Sequence, residues 1–482
     1  VATPIGANRA MVDARSVAEA TGGRVVRSAA GRAARGVTTD SRAVVPGGAF
    51  VALRGERHDA HAFVAAAIEA GATLVVVERG RAPDDARADA VEVDDTLVAW
   101  GAIAKAHLRA WRRANAAARV VAITGSAGKT TTKELCAALL RAAGSGGQPM
   151  GDCHATAGNL NNRVGVPAVV LELEPRHRFA VLEVGMSLPG EIAALASIVE
   201  PDVAVITNVG MAHAGGVGGS LDDVAREKGA LFAGVRAEGV CVANADDAAV
   251  LAQLGRAPRS ARVTRFGRAE TADYRLVERE ALGAEGSRVR IARRGGDAVD
   301  VVLPIPGEAA AVDLAAALAA ADAAAGGPIE PSRAMASLAP IAGRMQVRRS
   351  AGITVLDDAY NANPGSMRAA LSTLSECGEG RRVAVLGEMK ELGPSAEREH
   401  AALADAVAAA GVALLVSCGG LADVLARAAQ ARGVEVVLAP GAEAASRATV
   451  ERVRPGDVVL VKASRSVGAE RVVDALLARD GR

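Results

Sequence analysis

The chain is predicted to be an α/β protein of three domains: a small α/β N-terminal domain, a central doubly wound parallel-sheet domain and a C-terminal Rossmann-like α/β domain. Three observations predict this. At roughly 100 to 200 residues per domain, 482 residues imply two to four domains. Short β-branched runs alternate with helix-like segments along the chain, the punctuation of βαβ units. Half of the residues are apolar (50%), mostly Ala and Val, which is ample for several buried cores.

Taken in order, residues 1–112 carry strand-like runs at Val25–Val26, Ala49–Leu53 and Leu74–Glu78 and a helix pattern at Ala62–Ala70. The polar, alanine-rich stretch Arg112–Arg119 then gives way to Val120–Thr124, which reads as a fully buried parallel strand feeding a glycine turn. This opens the central domain, 113–336, where strands at Phe179–Val184 and Asp202–Thr207 alternate with a helix at Pro189–Val199. The alanine-rich segment Glu308–Ala325 is interrupted by Asp313 and Asp322 and reads as a buried helix of a soluble protein. Composition turns to Gly, Pro and Ser around Gly326–Pro340. A second strand series follows in 337–482, at Thr354–Asp358, Arg382–Leu386, Leu414–Ser417, Glu435–Leu438 and Asp457–Val461.

Composition excludes several function classes. With 56 Lys+Arg against 55 Asp+Glu, the formal net charge of +1 offers no general attraction to nucleic acid or an anionic membrane. Two Trp, two Tyr and five Phe leave little material for base-stacking platforms. No run is apolar and long enough for a membrane helix, and the first residues show charges and no apolar signal core. Cys136, Cys153, Cys241, Cys377 and Cys418 are odd in number and lack C-x-x-C spacing, so a reducing cytoplasm is expected rather than a disulfide framework or zinc cluster. A monomer without nucleic-acid or membrane partners is expected.

The chemistry begins at VVAITGSAGKTTTKEL, which places Gly125, Ser126, Ala127, Gly128, Lys129, Thr130 and Thr131 between a buried strand and a helix starting near Lys129. Glycines let backbone N–H groups turn onto phosphate oxygens, and the helix N-terminus adds partial positive charge. A lysine reaches the β- and γ-phosphates, and a threonine hydroxyl ligates Mg²⁺. These residues predict a P-loop ATPase domain. The loop is a short variant, because Ile123 stands where G-x-x-x-x-G-K-[ST] requires its first glycine. A metal bridging phosphates needs further hard ligands, and strand ends at the crevice of an open sheet supply them. Glu183 closes one strand and His213 follows another in a glycine-rich loop. Alone, the first reads also as a surface carboxylate and the second as a backbone-bonded loop histidine. Lys228, within LDDVAREKGALF, reads by itself as a solvated lysine.

Together, TGSAGKTT, EVGMS, NVGMAH, EKG, GRM at 343–345, DDAYNANPGSM at 357–367 and KASRS at 462–466 resemble the Mur ligases, ATP-dependent amide-forming enzymes of peptidoglycan synthesis. The resemblance covers nearly the whole chain. YNANP, GEMKELG and DAHAF, with no Asp-Asn-Pro-Arg motif, resemble the branch that adds D-alanyl-D-alanine to a UDP-MurNAc-tripeptide.

The resemblance implies roles at matching positions. Lys129, Lys228, His213 and Arg344 would be catalytic. Residues 125–131, with Arg344, Asp358 and Asn361, would bind ATP. Thr130, Glu183, His213 and Lys228 as a carbamate would hold Mg²⁺, two ions in all. In the N-terminal domain Ser41 and Arg42 would meet the UDP substrate, as would Asn162 in GNLNNRVGVP, and Lys462, Ser464 and Arg465 would meet the dipeptide. Without the resemblance, Asp-Ser-Arg reads as a turn, Asp357 as a strand end or cap, and KASRS as a basic surface loop.

One departure stands out. After VVLPIPGE, the family commonly shows His-Asn-x-x-Asn-x-Leu-Ala, with an asparagine near the adenine, where this chain has Ala309, Ala310 and Asp313. No residue is therefore assigned to the base; backbone atoms and Asp313 are candidates, and a guanine nucleotide stays open. Also open are a sibling ligase adding one amino acid and a relative resembling folylpolyglutamate synthase. A nucleotide switch that ligates nothing has no use for Glu183, His213 and Lys228 together.

Overall fold

The computed structural model describes the chain except residues 1–7, 29, 30, 32, 56, 57, 144–150, 212, 213 and 482. Three large sheets follow one another along the chain, of five, nine and six strands. In the first, Ala49–Val51, Leu74–Glu78 and Asp89–Val93 run parallel in the middle and Arg24–Arg27 lies antiparallel at one edge. The second has Arg119–Thr124 between Val203–Ile206 and His177–Glu183, all parallel, with Glu183 opposite Ile123 and Ile206 opposite Thr124. This register brings three strand ends level. Everything that leaves those ends therefore enters one crevice, the usual ligand position in an open parallel sheet.

The nine-stranded sheet is parallel from Asp152–Ala155 to Tyr274–Ala281 and then turns antiparallel through Ser287–Arg293 and Val299–Leu303. That extension was not anticipated from the sequence: in Ser287–Arg293 and Val299–Leu303 buried residues alternate with exposed ones, as suits strands covered on one face. The extension leads directly into the helix Glu308–Ala325, which is buried on nearly every side and packs on the helix Lys129–Ala142. Its alanines have no branches to hold the two backbones apart. Among the described residues no helix is long and apolar enough to cross a membrane, and all five cysteines are free and buried.

The helix Thr96–Ala114 joins the first two sheets. Asp95 caps it by accepting from the Leu97 and Val98 amides. Its buried face carries Trp100 and Trp111, whose indole N–H groups donate to the Val164 and His177 carbonyls, 2.9 and 3.0 Å away. One apolar cluster therefore runs from Val17 through Trp100 to Val166 and Leu195. The third sheet has Val458–Lys462 between Ile353–Asp357 and Arg382–Leu386. It meets the second sheet's crevice through Arg344 and Asn363, and the second sheet's unit again through a half-buried ion pair from Arg279 to Glu376.

Candidate active site

Gly125 begins the loop after Thr124 with φ 158°, and a Cβ there would lie 1.8 Å from Thr207 Oγ1. Gly128 ends it at φ 78°, and a Cβ would fall 2.3 Å from Asp313 Oδ1. Both positions are therefore closed to any side chain. The neighbouring strand end holds the loop: Ser126 N donates to Asn208 O, Ala127 N to Asn208 Oδ1, and Thr207 Oγ1 to Ala127 O at 2.6 Å. Asn208 and Thr207 are thus loop-positioning residues that the sequence reading did not single out. The signal was present, since TNVG follows the strand that pairs with Arg119–Thr124.

Lys129 and Thr130 open the helix, where unpaired N–H groups and the dipole favour an anion. The Lys129 ammonium donates to Gly125 O at 2.8 Å, and burial pulls its pKa below the ordinary lysine value against the opposing field of Glu183. Thr130 Oγ1 donates to Glu183 Oε2 at 2.8 Å, and Asn161 Nδ2 donates to Glu183 Oε1 at 2.8 Å. Glu183 is no surface carboxylate: it is 2% exposed. Its own amide donates to Thr156 Oγ1 and Thr156 O accepts from Lys133 Nζ, so two further residues fix its place. Of the adjacent asparagines in GNLNNRVGVP, it is Asn161 that reaches Glu183. Asn162 instead accepts from the Val164 and Gly165 amides at the start of the next helix.

Lys228 is 1% exposed, and its Nζ donates to Gly125 O at 3.1 Å. Burial, with the charge of Lys129 added, drives its pKa well below the lysine range. The helix Leu221–Ala233 explains why a charge run hides it: Val224, Ala225, Lys228, Leu231 and Phe232 share the buried stripe, while Asp222 and Arg226 do not. That periodicity is legible in the sequence. His213 lies outside the described residues. Among the described residues no group of three or more His, Cys, Asp and Glu side chains is arranged to hold a metal.

From the third sheet, Arg344 reaches Thr130 Oγ1 at 3.3 Å and Asn363 Nδ2 donates to Ser126 O at 3.1 Å. Asp358 Oδ2 accepts from Lys462 Nζ at 2.5 Å, and Lys462 also donates to Asn361 O at 3.0 Å. Lys462 is thus no part of a surface loop; it is 2% exposed at a strand end. Ser464 accepts from Lys390 N. Arg465 lies over the Tyr360 ring. Ser41 and Arg42 stand apart in the first sheet's unit, in a short turn capped by Asp40, whose carboxylate also pairs with Arg42.

A cavity of about 390 Å³ collects residues 126–131, Arg344, Asp358, Asn361 and Lys462 at one end. Its other end is walled by Ile305, Pro306, Ala309, Ala310, Ala369 and Ala370. The helix Pro364–Glu376 spans the two ends, from Asn363 on Ser126 to Thr373 against Gly307. Those ten helical steps cover about 15 Å. One end is lined by the glycine loop and charged side chains and the other mainly by apolar ones.

Three family models match the chain: the Mur ligase family catalytic domain at residues 34–108, the Mur ligase middle domain at 123–321 and the Mur ligase glutamate ligase domain at 343–465. The UDP-N-acetylmuramoyl-tripeptide–D-alanyl-D-alanine ligase of Escherichia coli is 37% identical over 449 residues, covering 91% of this chain and 93% of that protein. The chain belongs to the Mur ligase family. The Mycobacterium tuberculosis ligase of the same name is also 37% identical, over 96% of this Mur ligase and 97% of its own length. Among solved structures, MurF from Acinetobacter baumannii superposes with a TM-score of 0.86 at 30% identity, covering 98% and 100% of the two chains. MurF from Thermotoga maritima in complex with ADP gives 0.79 at 27% identity, covering 92% and 97%.

Proposed function

We propose that this Mur ligase is an ATP-dependent, ADP-forming amide ligase that joins D-alanyl-D-alanine to UDP-MurNAc-tripeptide in peptidoglycan synthesis, in the cytoplasm. The observation that carries the reading is the convergence of the phosphate loop, Glu183, Lys228 and Arg344 on one crevice between two sheets. The relatives' shared name supplies the substrates.

Joining a carboxylate to an amine in water is uphill, so the acceptor carboxylate first attacks the γ-phosphorus and ADP leaves. The amine then attacks the resulting acyl phosphate through a tetrahedral intermediate, and phosphate departs. Lys129 and Arg344 supply positive charge where the transferring phosphoryl group carries negative charge. The Asn363 to Ser126 and Arg279 to Glu376 contacts hold the two sheets' units together, which keeps Arg344 over the phosphate loop.

The donors fit Mg²⁺, since the Thr130 hydroxyl and the Glu183 carboxylate are hard oxygens held side by side. They would hold it, with His213 as a proposed further ligand, and the ion supplies Lewis-acid neutralisation of the phosphates. For Lys228, whose burial favours losing the ammonium proton, the proposed step is addition of CO₂ through the amine's lone pair with loss of a proton. The product is a carbamate whose negative charge suits a second ion. Asp358 and Asn361 border the nucleotide, Ser41, Arg42 and Asn162 are proposed for the UDP substrate, and Ser464 and Arg465 for the dipeptide, with Lys462, which lines the nucleotide cavity beside Asp358, where the two meet. The test is phosphate release from ATP and Mg²⁺ with UDP-MurNAc-tripeptide, comparing D-alanyl-D-alanine with single amino acids. Release dependent on the dipeptide is expected. Release only with a single amino acid would move the chain to a sibling activity, and release with neither would remove the ligase reading.

A further inference from the structure

Tyr360 is one of two tyrosines in the chain. It follows Asp358 at the end of the strand Ile353–Asp357, and its amide donates to Gly343 O, next to Arg344. The Arg344 guanidinium carbon stands 4.3 Å from the Tyr360 ring centroid and that of Arg465 5.3 Å. No described carboxylate pairs with Arg344, whose Nε is buried without a hydrogen-bond partner. Among the described residues Arg465 pairs only with Glu470, 3.9 Å away and 45% exposed. Two cations gathered at one ring without a carboxylate between them repel. What both share is the π face of one ring, which attracts a guanidinium most strongly where water is scarce. No described residue hydrogen-bonds to the Tyr360 hydroxyl.

We propose that Tyr360 is a positioning residue that aims Arg344 at the phosphate loop and Arg465 at the incoming dipeptide, acting through its ring face and not through its hydroxyl. The inference rests on the ligase reading for the second target and on the loop geometry alone for the first. One ring thereby links the end of the crevice where phosphate is transferred to the side from which the amine arrives. It also accounts for Arg344 reaching Thr130 from another sheet without an ion pair to guide it.

The test compares Tyr360→Phe, Tyr360→Trp and Tyr360→Leu in the full chain. It reads KM for D-alanyl-D-alanine, KM for the UDP substrate and kcat by phosphate release, and the Kd of a non-hydrolysable ATP analogue with Mg²⁺ by calorimetry. Leu is expected to raise the dipeptide KM and the nucleotide Kd each about tenfold and to leave the UDP-substrate KM in place. Phe and Trp, which keep a π face, should recover most of that loss. Loss in Phe equal to that in Leu would assign the role to the hydroxyl and overturn the proposal, as would a Leu variant unchanged in both constants. Should Leu fail to fold, Arg465→Met combined with Tyr360→Phe decides: costs that add leave the proposal standing, because Phe still holds Arg344, only if the Phe cost is itself under about twofold. A larger Phe cost overturns it. If the wild-type chain binds the analogue but releases no phosphate, the ligase reading fails, and the nucleotide Kd of Leu against Phe alone decides the role of Tyr360.

Discussion

The two ends of the cavity proposed for the nucleotide solve opposite problems. At the phosphate end, backbone and side-chain groups are tied to partners: the loop to Thr207 and Asn208, Thr130 to Glu183, Glu183 to Asn161, Lys462 to Asp358. At the far end the wall is Ile305, Pro306 and alanines, and the nearest hydroxyl, Thr373 Oγ1, already donates to Ala369 O. A charged ligand needs donors fixed before it arrives, because reorganising them would cost the energy that binding supplies. A flat base needs only shape and dry surface. Preorganisation is thus concentrated where charge changes during the reaction, and selectivity between bases has little to work with.

The comparison breaks most directly at the polar end. Lys129→Ala removes a charge aimed at the transferring phosphoryl group and should lower turnover by at least about a hundredfold with the protein still folded. Steady-state phosphate release checks it, and near-normal ligation would refute the assignment. Lys228→Ala should lose activity to a similar degree and regain part of it with added formate or acetate, which replace the carbamate's charge. Full activity without them removes the carbamate.

At the apolar end the expected effects are smaller. ITP and GTP should replace ATP with kcat/KM within about tenfold, because a wall made chiefly of Ile305, Pro306 and alanines offers few side-chain groups to reject a changed ring substituent. A thousandfold preference for ATP would show that backbone groups read the base edge. Asp313 lies at the boundary, 8% exposed against Gly128, with no ion pair among the described residues. Burial pushes its pKa well above the carboxylate range, with Arg344 opposing. Its folded value exceeds the unfolded one, so its contribution to stability is complete below the ordinary carboxylate pKa and is lost as pH rises through the raised value. Asp313→Asn should therefore stabilise the apo protein by about 1 to 3 kcal/mol at pH 8 and by less at pH 5, read by thermal unfolding.

The same contrast explains what could be read from the sequence. The strand before Gly125 and the helix Glu308–Ala325 were legible because local apolar pattern and glycine placement decide them. Glu183 and Lys228 were visible as residues but not as buried ones, since burial of a charge depends on neighbours far along the chain. Only the helical stripe around Lys228 carried a local signal. Which of Asn161 and Asn162 meets Glu183 follows from the turn that feeds the next helix. Neither Lys462 pairing with Asp358 nor two arginines over Tyr360 has a pattern in sequence, because each arises where separate segments of the third sheet's unit come together.

The most direct test of the phosphate end as the centre of the chemistry follows one oxygen atom. With ¹⁸O in the terminal carboxylate of the UDP-MurNAc-tripeptide, ligation through an acyl phosphate transfers one ¹⁸O to each released phosphate, because the bridging oxygen stays with phosphorus when the amine attacks. Mass spectrometry of the phosphate should show that single label in step with dipeptide addition. Unlabelled phosphate beside a correctly formed amide would contradict the account.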